Sequence, residues 1–187
     1  MKLGKRIFIV AGPSAVGKDA IINGLLKLHL SLKRMLTTTS RPRRSGDKPR
    51  EYHFVSPSIF RSLITKDKLL EWVEFNGHFY GTQKRDLEAI FAANKFPIMD
   101  VDVHGVDFFK THFPKAVSIF ILPSSLSILR RRLEARGTAE KDIRSRLKTA
   151  QWEIKQAPRF DYRVINYDGK LDNVVAEVAK LIRRRMR

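Results

Sequence analysis

The sequence predicts an α/β fold: a parallel sheet flanked by helices, with a small mixed lobe inserted into it. Three observations carry this. Short apolar runs alternate with helical patterns along most of the 187-residue chain. The first run, Ile7-Phe8-Ile9-Val10-Ala11, leads through a glycine-framed turn straight into a helical pattern. Between Met35 and about Phe91 the texture changes to short strand-like pieces and one tight turn.

In order, the pattern predicts strands at 7–11, 97–102, 117–122 and 162–166, and helices at 18–30, 104–112, 124–136, 140–156 and 171–185. Pro97 opens one strand and Pro123 closes another, both places where a missing N–H is tolerated. Inside the insertion, 51–55 and 69–75 read as strands. Asn76-Gly77 offers a two-residue turn into His78-Phe79-Tyr80. No internal repeat or low-complexity tract interrupts the chain.

Length predicts one domain with inserted lobes, and 43% hydrophobic residues suffice for a core. The chain has no cysteine, which excludes disulfides and thiolate metal sites. The basic start, Met1 to Arg6, precedes an apolar run too short for a signal peptide or a membrane span, so a cytoplasmic, soluble protein is expected. A net charge of +18 fits nucleic-acid contact, a site for polyanionic nucleotides, or a basic background equally well.

The stretch with the clearest chemistry is Gly12-Pro13-Ser14-Ala15-Val16-Gly17-Lys18-Asp19. Strand, glycine-framed loop and helix with a lysine at its start form the context of a phosphate-binding P-loop. Glycines let backbone N–H groups converge, the helix adds the positive end of its dipole, and Lys18 adds a full charge. Asp19 stands where a metal-binding Ser or Thr is usual, and Ala15 where a glycine is. The expected fold is therefore P-loop NTPase-like.

Further stretches bear on the reaction. In Thr37-Thr38-Thr39-Ser40-Arg41-Pro42-Arg43-Arg44-Ser45-Gly46-Asp47, arginines and hydroxyls gathered in one turn suit a second phosphate, or form an exposed basic loop. Tyr52 and Tyr80 carry hydroxyls that can reach a phosphate, and Glu71 suits the N1–H and amino donors of guanine, or decorates a strand surface. Asp100 and Asp102 end a buried strand, where open α/β sheets bind ligands; such a carboxylate also caps helices. Arg132 and Arg136 are four apart and are expected on one helix face. With Gly137, Arg144 and Arg146 they outline a closing lid, or a solvated basic helix. The run Arg183-Arg184-Arg185 reads as a solvated helix end, and His104 as structural.

Together, TTTSRPRRSGD, EYHFVS, LLEWVEFNGHFYGT, IMDVDVHG and RRRLEARGT resemble guanylate kinases in sequence and order, from Ile7 to about Ile182. The resemblance implies ATP-dependent phosphorylation of GMP with Mg2+. It implies a core at 1–36, 92–123 and 146–187, a GMP-binding lobe at 37–91 and a helical lid at 124–145. It assigns ATP binding to residues 12–19, namely Gly12, Pro13, Ser14, Ala15, Val16, Gly17, Lys18 and Asp19, and to Asn166. It assigns GMP binding to Thr37, Arg41, Arg44, Tyr52, Glu71, Tyr80, Thr82, Asp100 and Asp102, and charge stabilisation to Lys18, Arg41, Arg132, Arg136 and Arg146. Asp19 and Asp102 are its metal candidates. Gly-Lys-Asp also occurs in ribose 1,5-bisphosphate phosphokinases, and similar domains exist as non-catalytic protein-binding modules. The guanine-site residues and the retained Lys18 favour the kinase. The expected partners are ATP and GMP, with no membrane and no recognition motif for nucleic acid.

Overall fold

The structure, a computed structural model, describes residues 6–28, 30–43, 47, 52–75 and 77–186. In chain order it contains β1 (Phe8–Ala11), α1 (Lys18–Lys27), β2 (Leu32–Arg34), β3 (Thr37–Thr39), β4 (Tyr52–Phe54), α2 (Pro57–Thr65), β5 (Leu69–Phe75), β6 (His78–Gln83), α3 (Lys84–Ala92), β7 (Phe96–Asp100), α4 (Val103–His112), β8 (Val117–Pro123), α5 (Leu126–Glu134), α6 (Glu140–Lys155), a 3-10 turn (Ala157–Arg159), β9 (Tyr162–Asn166) and α7 (Leu171–Met186). The chain divides into two compact units, Met1–Leu32 with Ile98–Arg187, and Lys33–Pro97.

In the first unit β1 is the centre of a sheet ordered β2-β7-β1-β8-β9. It runs parallel to β7 and β8, and β9 runs parallel to β8. All four residues of β1 are fully buried, as a continuous apolar run in a sheet covered on both faces requires. Because β1, β7, β8 and β9 are parallel, their C-terminal ends share one edge, where such sheets bind ligands. The glycine loop, Asp100, the start of α5 and Asn166 all lie there. Asp161 fixes the other end of β9. It accepts from Ser118 N at 2.7 Å, Ser118 Oγ at 3.0 Å and Lys110 Nζ at 2.5 Å. Burial pushes its carboxyl pKa up, but these donors outweigh that and hold it below the usual range.

The second unit is a sheet ordered β4-β3-β6-β5 with α2 and α3. β3 is parallel to β4 and antiparallel to β6, which is antiparallel to β5. Phe75 pairs with His78 across the expected two-residue turn, with Gly77 at φ 73°. Asn76 lies outside the described residues.

Several elements differ from the sequence reading. The insertion contains two helices that hydrophobic pattern alone did not reveal. A start signal for α2 was present: Ser56 Oγ accepts from Ile59 N at 3.2 Å, and Pro57 is the first helical residue. Thr37–Thr39, read as part of a loop, is a strand, because β-branched residues paired on both sides prefer the sheet. The helix expected at 18–30 ends at Lys27, and the strand expected at 97–102 ends at Asp100. The helix expected at 124–136 is trimmed at both ends. Ser125 Oγ caps Ile128 N, and Gly137, at φ 69°, closes the last turn. Arg136 therefore sits beyond α5, exposed, and does not share a helix face with Arg132.

Candidate active site

The loop after β1 has the backbone its glycines permit. Gly12 has φ 141° and Gly17 φ 105°. A Cβ on Gly12 would lie 2.4 Å from the Ile121 carbonyl oxygen, so β8 itself excludes a side chain there. Gly17 precedes α1 with no side-chain cap, which leaves the first-turn N–H groups available to an anion. Lys18 folds back along the loop, donating to Gly12 O at 2.6 Å and Pro13 O at 3.3 Å.

Ala15, the departure from the usual glycine, adopts φ 65°. A left-handed alanine costs about 1–2 kcal/mol. Its methyl is nearly buried against Leu133 and Ile143, with Leu147 packed alongside, so the strain is offset by contact with α5 and α6.

Three polar side chains converge on the same loop from elsewhere in this unit. Arg146 of α6 donates to Ser14 Oγ at 2.9 Å. Asn166, at the end of β9, donates to Val16 O at 2.7 Å. Arg132 of α5 donates through Nη1 to Ala15 O at 3.3 Å and Val16 O at 3.1 Å, and through Nη2 to Asp168 at 3.1 Å. Arg131 also bonds Asp168. The sequence reading assigned Asp168 no role. Its carboxyl is held below the usual range by Arg132 first, then Arg131.

The acids are distributed as follows. Asp19 is exposed in the first turn of α1. Asp100 is half-buried at the end of β7. Asp102 is exposed and caps α4, its Oδ1 accepting from Gly105 N at 2.7 Å, which is the capping alternative raised for this carboxylate. His104 stacks on Trp152 of α6 at 4.9 Å. Glu153, one residue on, was missed. Burial raises its pKa against the pull of Lys18, with Asp102 and His104 also within electrostatic range. Helical spacing could have signalled it, since Arg146, Ala150 and Glu153 fall on one face of α6.

In the second unit, strand register assembles the predicted residues on one face. Tyr52 pairs with Thr37, Thr37 with Thr82, and Thr82 with Glu71, so one row crosses all four strands. Two residues along, Phe54, Thr39, Tyr80 and Val73 form the next row on the same face. Thr82 donates to Glu71 Oε1 at 2.6 Å. On the opposite face, buried Phe60 of α2 stacks on Phe79 at 5.2 Å.

Arg41 is nearly buried and paired. Its fork meets Asp47 through two bonds of 2.9 Å, and it lies 5.4 Å from the centre of the Tyr52 ring and 5.5 Å from that of Phe54. The Asp47 bonds hold its guanidinium firmly charged, reinforced by Tyr80 and Tyr52. Arg44 lies outside the described residues.

Among the described residues no group of three His, Cys, Asp or Glu could cage a metal. A hard cation such as Mg2+ takes one or two carboxylates plus phosphate oxygens and water. Asp19, one residue after Lys18, and the second oxygen of Asp102 are hard oxygen donors of that type. No described helix is long and apolar enough to cross a membrane.

The guanylate kinase family model matches residues 4–185. The chain is 40% identical to a guanylate kinase of Dechloromonas aromatica over 86% of its own length and 80% of the relative's. It is 36% identical to one from Thermosynechococcus vestitus, over 93% and 92%. The crystal structure of guanylate kinase from Anaplasma phagocytophilum superposes with a TM-score of 0.77 at 26% identity, covering 98% of this chain and 87% of that one. A glycine loop at the centre of a parallel sheet, a separate small sheet bearing Glu71 and Thr82, and a family match across almost the whole length lead to one conclusion: this chain belongs to the guanylate kinase family.

Proposed function

We infer that the chain transfers the γ-phosphoryl group of ATP to GMP, giving ADP and GDP. Family membership supports the reaction, and the Glu71–Thr82 pair is the observation that carries the acceptor's identity. The Thr82 hydroxyl donates to Glu71 Oε1, which orients the carboxylate, an acceptor-only group that suits a pair of donors. Guanine offers N1–H and a 2-amino group; adenine does not offer that pair. The ribose 1,5-bisphosphate and protein-binding alternatives are not favoured.

The core unit takes ATP. The first-turn N–H groups of α1 and Lys18 neutralise phosphate charge, and Asn166 keeps the loop in register through Val16 O. Arg132 and Arg146 bring positive charge to the loop's other side, and Arg136 joins them from the α5–α6 turn. Mg2+ would supply neutralisation of phosphate charge at this site. Asp19 and Asp102 are the residues assigned to hold it, directly or through water. The small unit takes GMP: Glu71, Thr82 and Thr37 read the base, while Arg41, Tyr52 and Tyr80 take the phosphate, and Arg44 is assigned to the phosphate from the sequence alone. Asp100 and Asp102 of the core are also assigned to GMP by the family resemblance. A GMP phosphate oxygen is already a competent nucleophile, so positioning and charge neutralisation carry catalysis without a strong base. Residues 124–145 act as the lid, and the cytoplasm, which holds both nucleotides, is the setting.

Measuring ADP formation from ATP with GMP, dGMP, AMP, CMP, UMP, ribose 1,5-bisphosphate or no acceptor tests this. GMP is expected to be best, with dGMP weaker. Turnover independent of GMP overturns the reading.

The Arg41–Asp47 pair makes a second prediction. A bound phosphate must share the guanidinium with Asp47, and like charges repel. Asp47→Asn is expected to tighten GMP binding about fivefold, ~1 kcal/mol. Calorimetric titration of GMP reads this. Unchanged or weaker binding would mean that Asp47 holds Arg41 in place for the phosphate rather than competing with it.

A further inference from the structure

Arg131 and Arg132 are neighbours on α5, so their side chains leave the helix about 100° apart and have no intrinsic reason to converge. Asp168 draws both together. It sits in the turn after β9, two residues past Asn166, and is bonded to both guanidinium groups. The other end of Arg132 is held by the Ala15 and Val16 carbonyls, and Val16 O also accepts from Asn166. A planar guanidinium fixed at three acceptors, on two segments of chain, has its plane and its height above the loop determined. It still has N–H donors to spare, because the three bonds use only its two terminal nitrogens.

We propose that Asp168 is a positioning residue for nucleotide binding and phosphoryl transfer: it locks Arg132 against the glycine loop, so that this cation is already in place when the triphosphate arrives. Pre-organisation is the physical gain. An arginine free to rotate loses side-chain freedom when it is immobilised on a ligand, whereas one already braced loses much less. The same carboxylate offsets one of two adjacent positive charges, which lets Arg131 and Arg132 approach each other without a nucleotide between them. The charge must also stay ionised to do this. Arg132 and Arg131 hold it below the ordinary carboxylate range, so at neutral pH it does not titrate. This inference rests on the assignment of the core unit to ATP.

The test compares wild type with Asp168→Asn, Asp168→Glu and Arg132→Ala, and with the double variant Asp168→Asn/Arg132→Ala. Asp168 is about half exposed, so the variants are expected to fold, which melting curves check. Calorimetric titration of MgATP without GMP is expected to show about tenfold weaker binding for Asp168→Asn, the scale seen when a side chain that orients a functional group is lost. With GMP present, kcat should fall by a similar factor while the KM for GMP is unchanged, a split that general destabilisation would not produce. Asp168→Glu should recover most of the loss. The double variant should be no worse than Arg132→Ala alone, because both changes disable one unit. ATP affinity and kcat within twofold of wild type in Asp168→Asn, a Glu variant as impaired as the Asn variant, or additive losses in the double variant each overturn the proposal. Loss of GMP dependence in wild type overturns the acceptor assignment instead, and the ATP titration still reads the role of Asp168.

Discussion

Lys18→Ala is expected to lower kcat with ATP and GMP by about 10³-fold or more, ~4 kcal/mol of transition-state stabilisation. Lys18 brings a full charge within reach of the loop's N–H groups, and among the described residues it donates to the loop's own carbonyls, Gly12 O and Pro13 O. Those contacts are exchangeable, since an ammonium is a mobile point charge with three donors. A triphosphate gives it better acceptors in the same place. Lys18→Arg is expected to restore little. A planar fork cannot replace a compact ammonium in a loop whose carbonyls already lie 2.6–3.3 Å from the nitrogen. Steady-state rates with saturating GMP, accompanied by melting curves to exclude unfolding, check this. An alanine variant keeping a tenth of wild-type turnover would remove Lys18 from the phosphate site.

Glu71→Gln is expected to lower kcat/KM for GMP by about 10²–10³-fold and to collapse the preference for GMP over AMP, which in wild type should reach ~10⁴. The carboxylate is acceptor-only, and one oxygen already takes the Thr82 hydroxyl at 2.6 Å. An amide keeps one acceptor oxygen but points an NH2 group at a guanine donor, so one hydrogen bond becomes a donor–donor clash. Substituting one charged hydrogen bond costs about 1.5–3 kcal/mol, and the mismatch adds to it. Thr82→Val should act in the same direction but more weakly, by releasing the carboxylate rather than replacing it. The assay is kcat/KM on GMP and AMP for each variant. An unchanged GMP-to-AMP ratio in Glu71→Gln would mean that Glu71 does not read the base.

Much of this was legible in the chain because the signals are local. The loop Gly12 to Lys18 announces itself: an apolar strand, glycines that must take positive φ, and a lysine on a helix start are adjacent in sequence and act together in space. The buried parallel strands were legible for the same reason, their apolar runs being continuous. The α2 signature Ser56-Pro57 was also local, but in a lobe of short elements it competed with strand-like patterns. The strand nature of Thr37–Thr39 was hidden by its polarity, since β3 becomes a strand by having a partner on each side.

By itself the sequence determined the α/β class, the glycine-framed turn from strand to helix, and the family. Each depends on residues close together in the chain or on their order. Only the tertiary structure decided which of those residues meet. Register set Tyr52, Thr37, Thr82 and Glu71 in one row, because pairing across four strands fixes a face that no single strand specifies. It showed Arg41 committed to Asp47, Asp102 serving as a helix cap, and Arg136 beyond the end of α5. It also brought Asp168 to Arg132 across 36 residues. A carboxylate's partner is chosen by which cation the fold brings within about 3 Å, and sequence separation does not encode that distance.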